Sequence, residues 1–371
     1  MMTAEAVVAR ARRGVRDPLL TRPDWTTGAR RDPSLLWLDK NENTDPSLAV
    51  VTRRILAELS PEFLYSYPES APLYAKLAQW VGLSVDHLLL TAGSDGAIRQ
   101  VFEAFVDPGD TVLLTEPTFA MYPVYARMFD ARMVTLAYRP SADGPQLDAE
   151  EVIAAIRAER PKLVCLPNPN SPTGTIFEPD ALRSIVTAAG EAGALLLLDE
   201  AYHPFHPWTA APWVDEFPNL IIARTFAKAW GMAGLRIGYA IAHPSIARVL
   251  HKVRPMYEVN TIAVAAMERM LDFRDAMEAS VARLIAGRER FRADMGELGL
   301  RTLASHGNFT HVAFGPLGEA VHAELAKRVL YRKSFSVPCL SGFSRFSAAT
   351  VDQFEPLIHC IARVVRAGAV V

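Results

Sequence analysis

The chain has 371 residues, half of them hydrophobic and 22% charged, with a formal net charge of −2. That balance suits a globular protein with a large core and excludes a disordered chain, which needs fewer apolar residues and more net charge. A near-neutral total charge also gives no general pull toward nucleic acid or an anionic membrane.

In chain order, the first 31 residues are locally basic, with Arg10, Arg12, Arg13, Arg16, Arg22, Arg30 and Arg31. They read as a solvated arm or as a partner-binding tail. No long apolar stretch accompanies them, so no secretory signal is expected. Residues 1–45 are taken as an arm that crosses to a smaller C-terminal domain or to a neighbouring subunit.

Residues 46–250 form the expected large domain. Within it, short apolar runs alternate with longer helical patterns. The candidate strands are "HLLLTA" (87–92), "TVLLT" (111–115), "KLVCL" (162–166), "ALLLLD" (194–199), "LIIAR" (220–224) and "RIGYAIA" (236–242). They lack the alternation of a half-exposed strand, as expected for strands covered on both faces. Helix-like stretches such as 150–158 and 178–192 lie between them. Strand and helix in alternation predict an α/β domain around a mostly parallel central sheet flanked by helices.

Residues 251–371 read differently and are taken as a smaller α+β domain. A long amphipathic helix is expected over 280–298, a strand over "NFTHVAF" (308–314) and a closing helix from 351. The three cysteines, Cys165, Cys339 and Cys360, show no CxxC spacing, which fits a reducing, cytoplasmic setting. The longest aliphatic run, "GALLLLD" (193–199), is too short to cross a bilayer.

In open α/β sheets ligands sit beyond the carboxyl ends of the strands, so the residues that follow each strand carry the chemistry. After the first comes "GSDGAI" from Gly93, where Ser94 or Asp95 can cap a helix starting near Ala97. Such a turn is either only a turn or an anion site, typically for phosphate. After the second comes "EPTFAMY" with Phe119, a packing ring or a stacking one. After the third, "PNPNSPTG" (167–174) is a rigid loop that carries side-chain amides. After the fourth, Asp199 closes a run of four leucines, where a carboxylate is costly unless it is paired. A cationic heterocycle nitrogen would pair it, and Tyr202 could reach the same ligand. Glu200, His203 and His206 match no zinc spacing, so no metal is expected.

After the fifth strand, "RTFAKAWGMAGLRIGYA" (224–240) brings Thr225, Lys228 and Arg236. A lysine desolvated among apolar neighbours has a lowered pKa and becomes nucleophilic. Amine, carboxylate, anion cradle and stacking ring are together what pyridoxal 5′-phosphate needs. A nicotinamide dehydrogenase would need GxGxxG after its first strand, which "GSDGAI" does not supply. A non-catalytic protein on the same fold would be favoured by loss of the lysine or the aspartate, and both are present.

At these residues the chain resembles the fold-type I, pyridoxal-phosphate-dependent aminotransferases of class I/II, and among them the histidinol-phosphate aminotransferases. The likeness runs from "WLDKNEN" (37–43) through "YPE" (67–69) and "TFAKAWGMAGLRIGY" (225–239) to "SGFSR" (341–345). It implies that Lys228 forms the Schiff base and moves the proton, Asp199 pairs with the pyridinium nitrogen, and Tyr202 bonds the ring's phenolic oxygen. Phe119 would stack on the ring. Ser94, Thr225, Arg236 and the N–H groups from Gly93 to Asp95 would hold the phosphate. Tyr67 would reach a partner subunit's phosphate, which implies a homodimer. Arg345 and Arg332 would bind the substrate's anionic end.

Three positions depart from the family pattern. Where the family often has "NPNNPTG", Ser171 stands at the ring-contacting asparagine, and Asn170 is expected to take that role. "SRFS" replaces "LRIT" or "LRIS" around Arg345, and Trp25 aligns with a substrate-contacting tyrosine. The resemblance implies a ping-pong transamination with histidinol phosphate and 2-oxoglutarate as the leading pair. An aromatic aminotransferase, a decarboxylase or a cyclase on the same fold is the alternative.

Overall fold

The structure, a computed structural model, describes residues 2–21 and 30–368. Strand β1 (Leu36–Leu38) belongs to the N-terminal segment. Seven strands follow: β2 (Leu88–Thr91), β3 (Thr111–Glu116), β4 (Arg132–Ala137), β5 (Leu163–Pro167), β6 (Leu195–Asp199), β7 (Leu220–Thr225) and β8 (Gly238–Ala242). The last four are β9 (Arg301–Leu303), β10 (Phe309–Ala313), β11 (Val329–Tyr331) and β12 (Phe343–Ser347).

The seven strands make one sheet in the order β2-β8-β7-β6-β5-β3-β4. Strands β3 to β7 pair in parallel, and β8 lies antiparallel between β2 and β7. The aliphatic runs lack alternation because both faces are covered. Leu196, Leu198 and Ile222 pack with Val152, Ile156, Leu182 and Ile185 from the helices Ala149–Glu159 and Pro179–Glu191. Leu197, Cys165 and Ile221 face the other way, onto Ile98, Val101, Tyr122 and Tyr125 from the helices Ser94–Phe105 and Met121–Met128. Each fully buried leucine or isoleucine there contributes about 1.5–3 kcal/mol.

Five of the six expected strand runs align with their strands to within one residue, and the run at 236 begins two residues later, at Gly238. Strand β4 was not anticipated: it is the edge strand, half-exposed, and "RMVTLA" carries an arginine and a threonine among its apolar residues. Because β2, β5, β6 and β7 point the same way, their carboxyl ends share one rim of the sheet. Antiparallel β8 starts at that rim, with Gly238 paired to both Thr91 and Thr225. That reversal delivers Arg236 to the strand ends.

The C-terminal part is built on the antiparallel sheet β12-β10-β9. The expected helix runs over Arg274–Glu297 and packs on the closing helix Val351–Gly368, with Phe291 stacked on Phe354 at 4.4 Å. Strand β10 is the middle strand and is buried along nearly its whole length.

The basic arm is not simply solvated. Arg12 lies over Phe129, Arg13 pairs with Asp130, and Gly14 fits so closely that a Cβ there would lie 2.3 Å from the Arg127 carbonyl. Beyond it β1 joins β11 in parallel, so the arm crosses to the C-terminal part of its own chain. Arg22 lies outside the described residues. Among the described residues no helix is long and apolar enough to cross a membrane.

Candidate active site

A cavity of about 460 Å³ opens at the shared rim, lined by residues from five strand ends and from the C-terminal sheet. Lys228 lies three residues beyond β7. The turn that carries it is closed by Phe226 and Met232, whose backbones bond at 3.0 Å, and by Ala227 N–H donating to Thr225 Oγ1 at 3.1 Å. Its amine enters the cavity and donates to the Lys40 carbonyl at 2.8 Å. Burial, then the nearby Arg345, pull its pKa down to about 8.

Asp199 ends β6 and is 5% exposed. Its Oδ1 accepts from Ala201 N–H at 3.0 Å and its Oδ2 from the Tyr122 hydroxyl at 3.3 Å. Burial pushes its carboxyl up to about 7. A carboxylate held by neutral donors in a low-dielectric floor is poised for a cationic partner in the cavity.

The anion cradle differs from expectation in one respect. The helix starts at Ser94, not near Ala97, and its N-cap is Gly93 with no side-chain cap. Ser94 and Asp95 therefore lie in the first helical turn, where their N–H groups face the N-terminal end of the dipole. Asp95 accepts from the Tyr125 hydroxyl at 3.0 Å. Gly93 has φ +82°, and a Cβ there would lie 2.9 Å from Arg236 Nη2. A Cβ on Gly238 would meet Ser94 N at 2.7 Å. Small residues let strand, helix start and guanidinium converge. Ser94, Thr225 and Arg236 all line the cavity. The donor set fits a phosphate.

Tyr202 lines the opposite side, 5% exposed, and accepts from Asn41 Nδ2 at 2.8 Å. Asn170 is buried and is not among the residues that line the cavity. Its Nδ2 bonds Thr115 Oγ1 at 3.2 Å and the Pro117 carbonyl at 3.3 Å, tying the loop to the strand end. Ser171 lines the cavity instead, beside Tyr202. The loop closes through Asn170 N–H to Thr175 O and Gly174 N–H to Asn170 O, and that closure turns the Asn170 side chain inward. Phe119 is half-buried at the wall, edge-on to Tyr122 at 6.1 Å.

Arg345 and Arg332 form an antiparallel bridge and both reach the cavity. Arg345 is buried, donates to the Asp39 carbonyl at 3.0 Å and lies over Phe309, and burial pulls its pKa down to about 10. Arg332 is exposed and lies over Phe335 at 4.2 Å. Tyr67 is 73% exposed, stacked on Tyr257 at 4.2 Å, and is not among the residues lining its own chain's cavity. Trp25 lies outside the described residues. Glu200 is engaged by Arg224 in a buried ion pair at 2.8 Å, and His206 sits edge-on to His306.

Sequence reasoning missed Lys40, Asn41, Tyr122 and Phe335. The segment "WLDKNEN" holds the first two, but nothing in its composition says that it crosses the mouth of the cavity.

Residues 33–359 match the family model described as aminotransferase class I and II. A histidinol-phosphate aminotransferase of Caldanaerobacter subterraneus is 32% identical over 304 residues, 81% of this chain and 84% of that one. One of Roseiflexus castenholzii is 32% identical over 339 residues, 89% of this chain and 90% of that one. A crystal structure of the Sinorhizobium meliloti histidinol-phosphate aminotransferase in complex with pyridoxal-5′-phosphate superposes with a TM-score of 0.78 at 26% identity, covering 90% of this chain and 91% of that one.

Proposed function

The chain belongs to the class I and II aminotransferases, and we propose that it moves an amino group from a histidinol-phosphate-like donor to a 2-oxo acid such as 2-oxoglutarate, with pyridoxal 5′-phosphate as cofactor. One observation carries this reading. Lys228, Asp199 and the uncapped helix start at Ser94 open onto a single cavity at the strand ends.

Bound there, pyridoxal phosphate supplies an aldehyde carbon that captures amines and a ring that takes up the electrons of a broken Cα–H bond. Lys228, with its pKa near 8, is partly neutral at physiological pH. Its amine would take the proton from the substrate's Cα and deliver it to the carbon that the cofactor's aldehyde supplies. Asp199 would hold a proton on the ring nitrogen, and that cation would offset the burial that raises the carboxyl. Tyr202 would donate to the ring's phenolic oxygen with Ser171 beside it, and Phe119 would cover one ring face. Ser94, Thr225, Arg236 and the N–H groups from Gly93 to Asp95 would anchor the phosphate. Arg345 and Arg332 would fork onto the substrate's anionic end. Closing the cavity over these groups excludes water and strengthens each charge contact.

This reading makes the protein a homodimeric, cytoplasmic enzyme of amino-acid biosynthesis, with Tyr67 reaching across to its partner's cofactor. The exposed Tyr67–Tyr257 stack and the histidine-pathway relatives support it. So do three cysteines that are buried and unpaired. An aromatic amino donor is the second reading, favoured by Phe335, which lines the cavity under Arg332.

The test is a stopped-flow screen of donors for loss of the bound cofactor's visible band. Histidinol phosphate should discharge the band about 100-fold faster than unphosphorylated histidinol, for the loss of one bidentate charge contact. Equal rates would overturn the phosphorylated donor, and a wild-type protein that develops no band with added cofactor would overturn the cofactor.

A further inference from the structure

Three consecutive residues of the N-terminal segment each touch one principal group of the site. The Asp39 carbonyl accepts from Arg345 Nη2 at 3.0 Å, the Lys40 carbonyl accepts from Lys228 Nζ at 2.8 Å, and Asn41 Nδ2 donates to the Tyr202 hydroxyl at 2.8 Å. The third contact joins side chains 161 residues apart. Both are buried, Asn41 to 3% exposure, so bulk water does not compete for it.

We propose that Asn41 is a positioning residue: by donating to the Tyr202 oxygen it leaves the Tyr202 proton for an acceptor inside the cavity. The inference rests on the cofactor reading above, in which that acceptor is the ring's phenolic oxygen. A phenol has one proton to give. If Asn41 presented its carbonyl instead, Tyr202 would spend that proton on the amide.

The surroundings of Asn41 select the donating orientation. Its backbone N–H donates to Ser347 Oγ at 2.8 Å, which leaves the Ser347 proton free to reach Asn41 Oδ1, at 3.4 Å. With Oδ1 facing Ser347, Nδ2 faces Tyr202. The Asn41 carbonyl is itself held by Asn308 Nδ2 at 2.8 Å. The residue has φ +56°, a left-handed conformation that asparagine tolerates better than most side chains. Ser347 and Arg345 sit two apart on β12 and so share a face. The strand that presents the substrate-side arginine thus also fixes the polarity of Tyr202.

A donated hydrogen bond stabilises the ionised phenolic oxygen and lowers the pH at which the bound cofactor loses its proton, which the visible spectrum reports. The test is a pH titration of that band in the cofactor-loaded enzyme. Asn41→Asp keeps the backbone conformation and the side-chain shape and, when ionised, can only accept. Asn41→Gly keeps the left-handed backbone and removes the amide. We expect the midpoint to rise by about one pH unit in Asn41→Asp and by about half a unit in Asn41→Gly. In a Tyr202→Phe background, Asn41→Gly should add less than about 0.2 unit, because Asn41 acts through the hydroxyl.

A midpoint within about 0.2 unit of wild type in Asn41→Asp overturns the proposal. So does an undiminished Asn41→Gly shift in the Tyr202→Phe background, or loss of stability without any shift. If Asn41→Asp does not fold, the Asn41→Gly pair in the two backgrounds decides alone. A wild-type protein with no visible band overturns the cofactor reading and this inference with it, whereas a normal band with unshifted variants overturns this inference only.

Discussion

The Tyr122 hydroxyl, fully buried, donates to Asp199 Oδ2 at 3.3 Å and holds the carboxylate from beneath the cavity. Burial keeps the phenol's own pKa well above its ordinary value, so it stays a donor. Phe119, three residues earlier, meets Tyr122 edge-on, and the arm residues Arg12 to Gly14 clamp the far end of the same helix. One short helix thus connects the N-terminal arm to the acid at the cavity floor.

Tyr122→Phe should remove one of two donors from a buried carboxylate, at a cost of about 1.5–3 kcal/mol. Urea denaturation should show that loss. Equilibrium titration should show weaker cofactor binding. Wild-type values in both would mean that Asp199 does not depend on this contact.

Lys228→Ala should bind the cofactor without covalent attachment and lose transamination by at least about a thousandfold. Mass spectrometry after borohydride reduction checks the attachment: wild type should gain the cofactor's mass less its carbonyl oxygen and the variant should not. Normal turnover by the variant would refute the assigned role.

Two groups give the cofactor-free protein a pH-dependent stability. The folded-state pKa of Asp199 is raised to about 7, against about 3.9 in an unfolded chain. Between those values the folded state holds the extra proton, so stability falls as pH rises from about 4 to about 7. Lys228 is lowered to about 8, against about 10.4 unfolded. There the unfolded state holds the extra proton, so stability climbs again from about pH 8 to about 10.4. Asp199→Asn should flatten the first limb by up to about 1.4 kcal/mol per pH unit, and Lys228→Met should flatten the second. Slopes identical to wild type in stepped-pH urea curves would contradict both assignments.

Arg345→Ala should raise KM for an anionic donor about 100-fold, through loss of a buried charge contact, while the cofactor's visible band survives. The KM-against-kcat split separates a binding role from a structural one. A collapse of the band itself would mean that Arg345 holds the cofactor site and not the substrate.

Gly238→Ala places a Cβ 2.5 Å from the Arg224 carbonyl and 2.7 Å from Ser94 N. Both are backbone atoms and cannot swing aside. The cost should be about 1–3 kcal/mol, with the cradle at Ser94 displaced and cofactor affinity reduced about tenfold or more. Unchanged affinity would show that the strand can move away without disturbing the cradle.

Much of the site was legible because parallel strands covered on both faces read as bare aliphatic runs, and their carboxyl ends mark where ligands sit. Asp199 after "LLLL" and Lys228 after "LIIA" stand out for that reason. Strand β4 escaped because an edge strand mixes polar and apolar residues. Asn170 and Ser171 are neighbours, and which one faces the cavity depends on how residues 167–175 fold back on themselves. No composition rule separates two adjacent polar residues in a loop.

The sequence by itself determined the strand ends, the buried lysine and aspartate, and the resemblance of their motifs, because each of these is written in a local run of residues. Only the tertiary structure decided that Tyr122 supports Asp199, that Asn41 reaches Tyr202 and that Ser171 lines the cavity while Asn170 is turned inward. Those contacts join segments 77 and 161 residues apart, or turn on the closure of one loop. Whether two such groups meet is set by how the layers pack, and no local pattern encodes it.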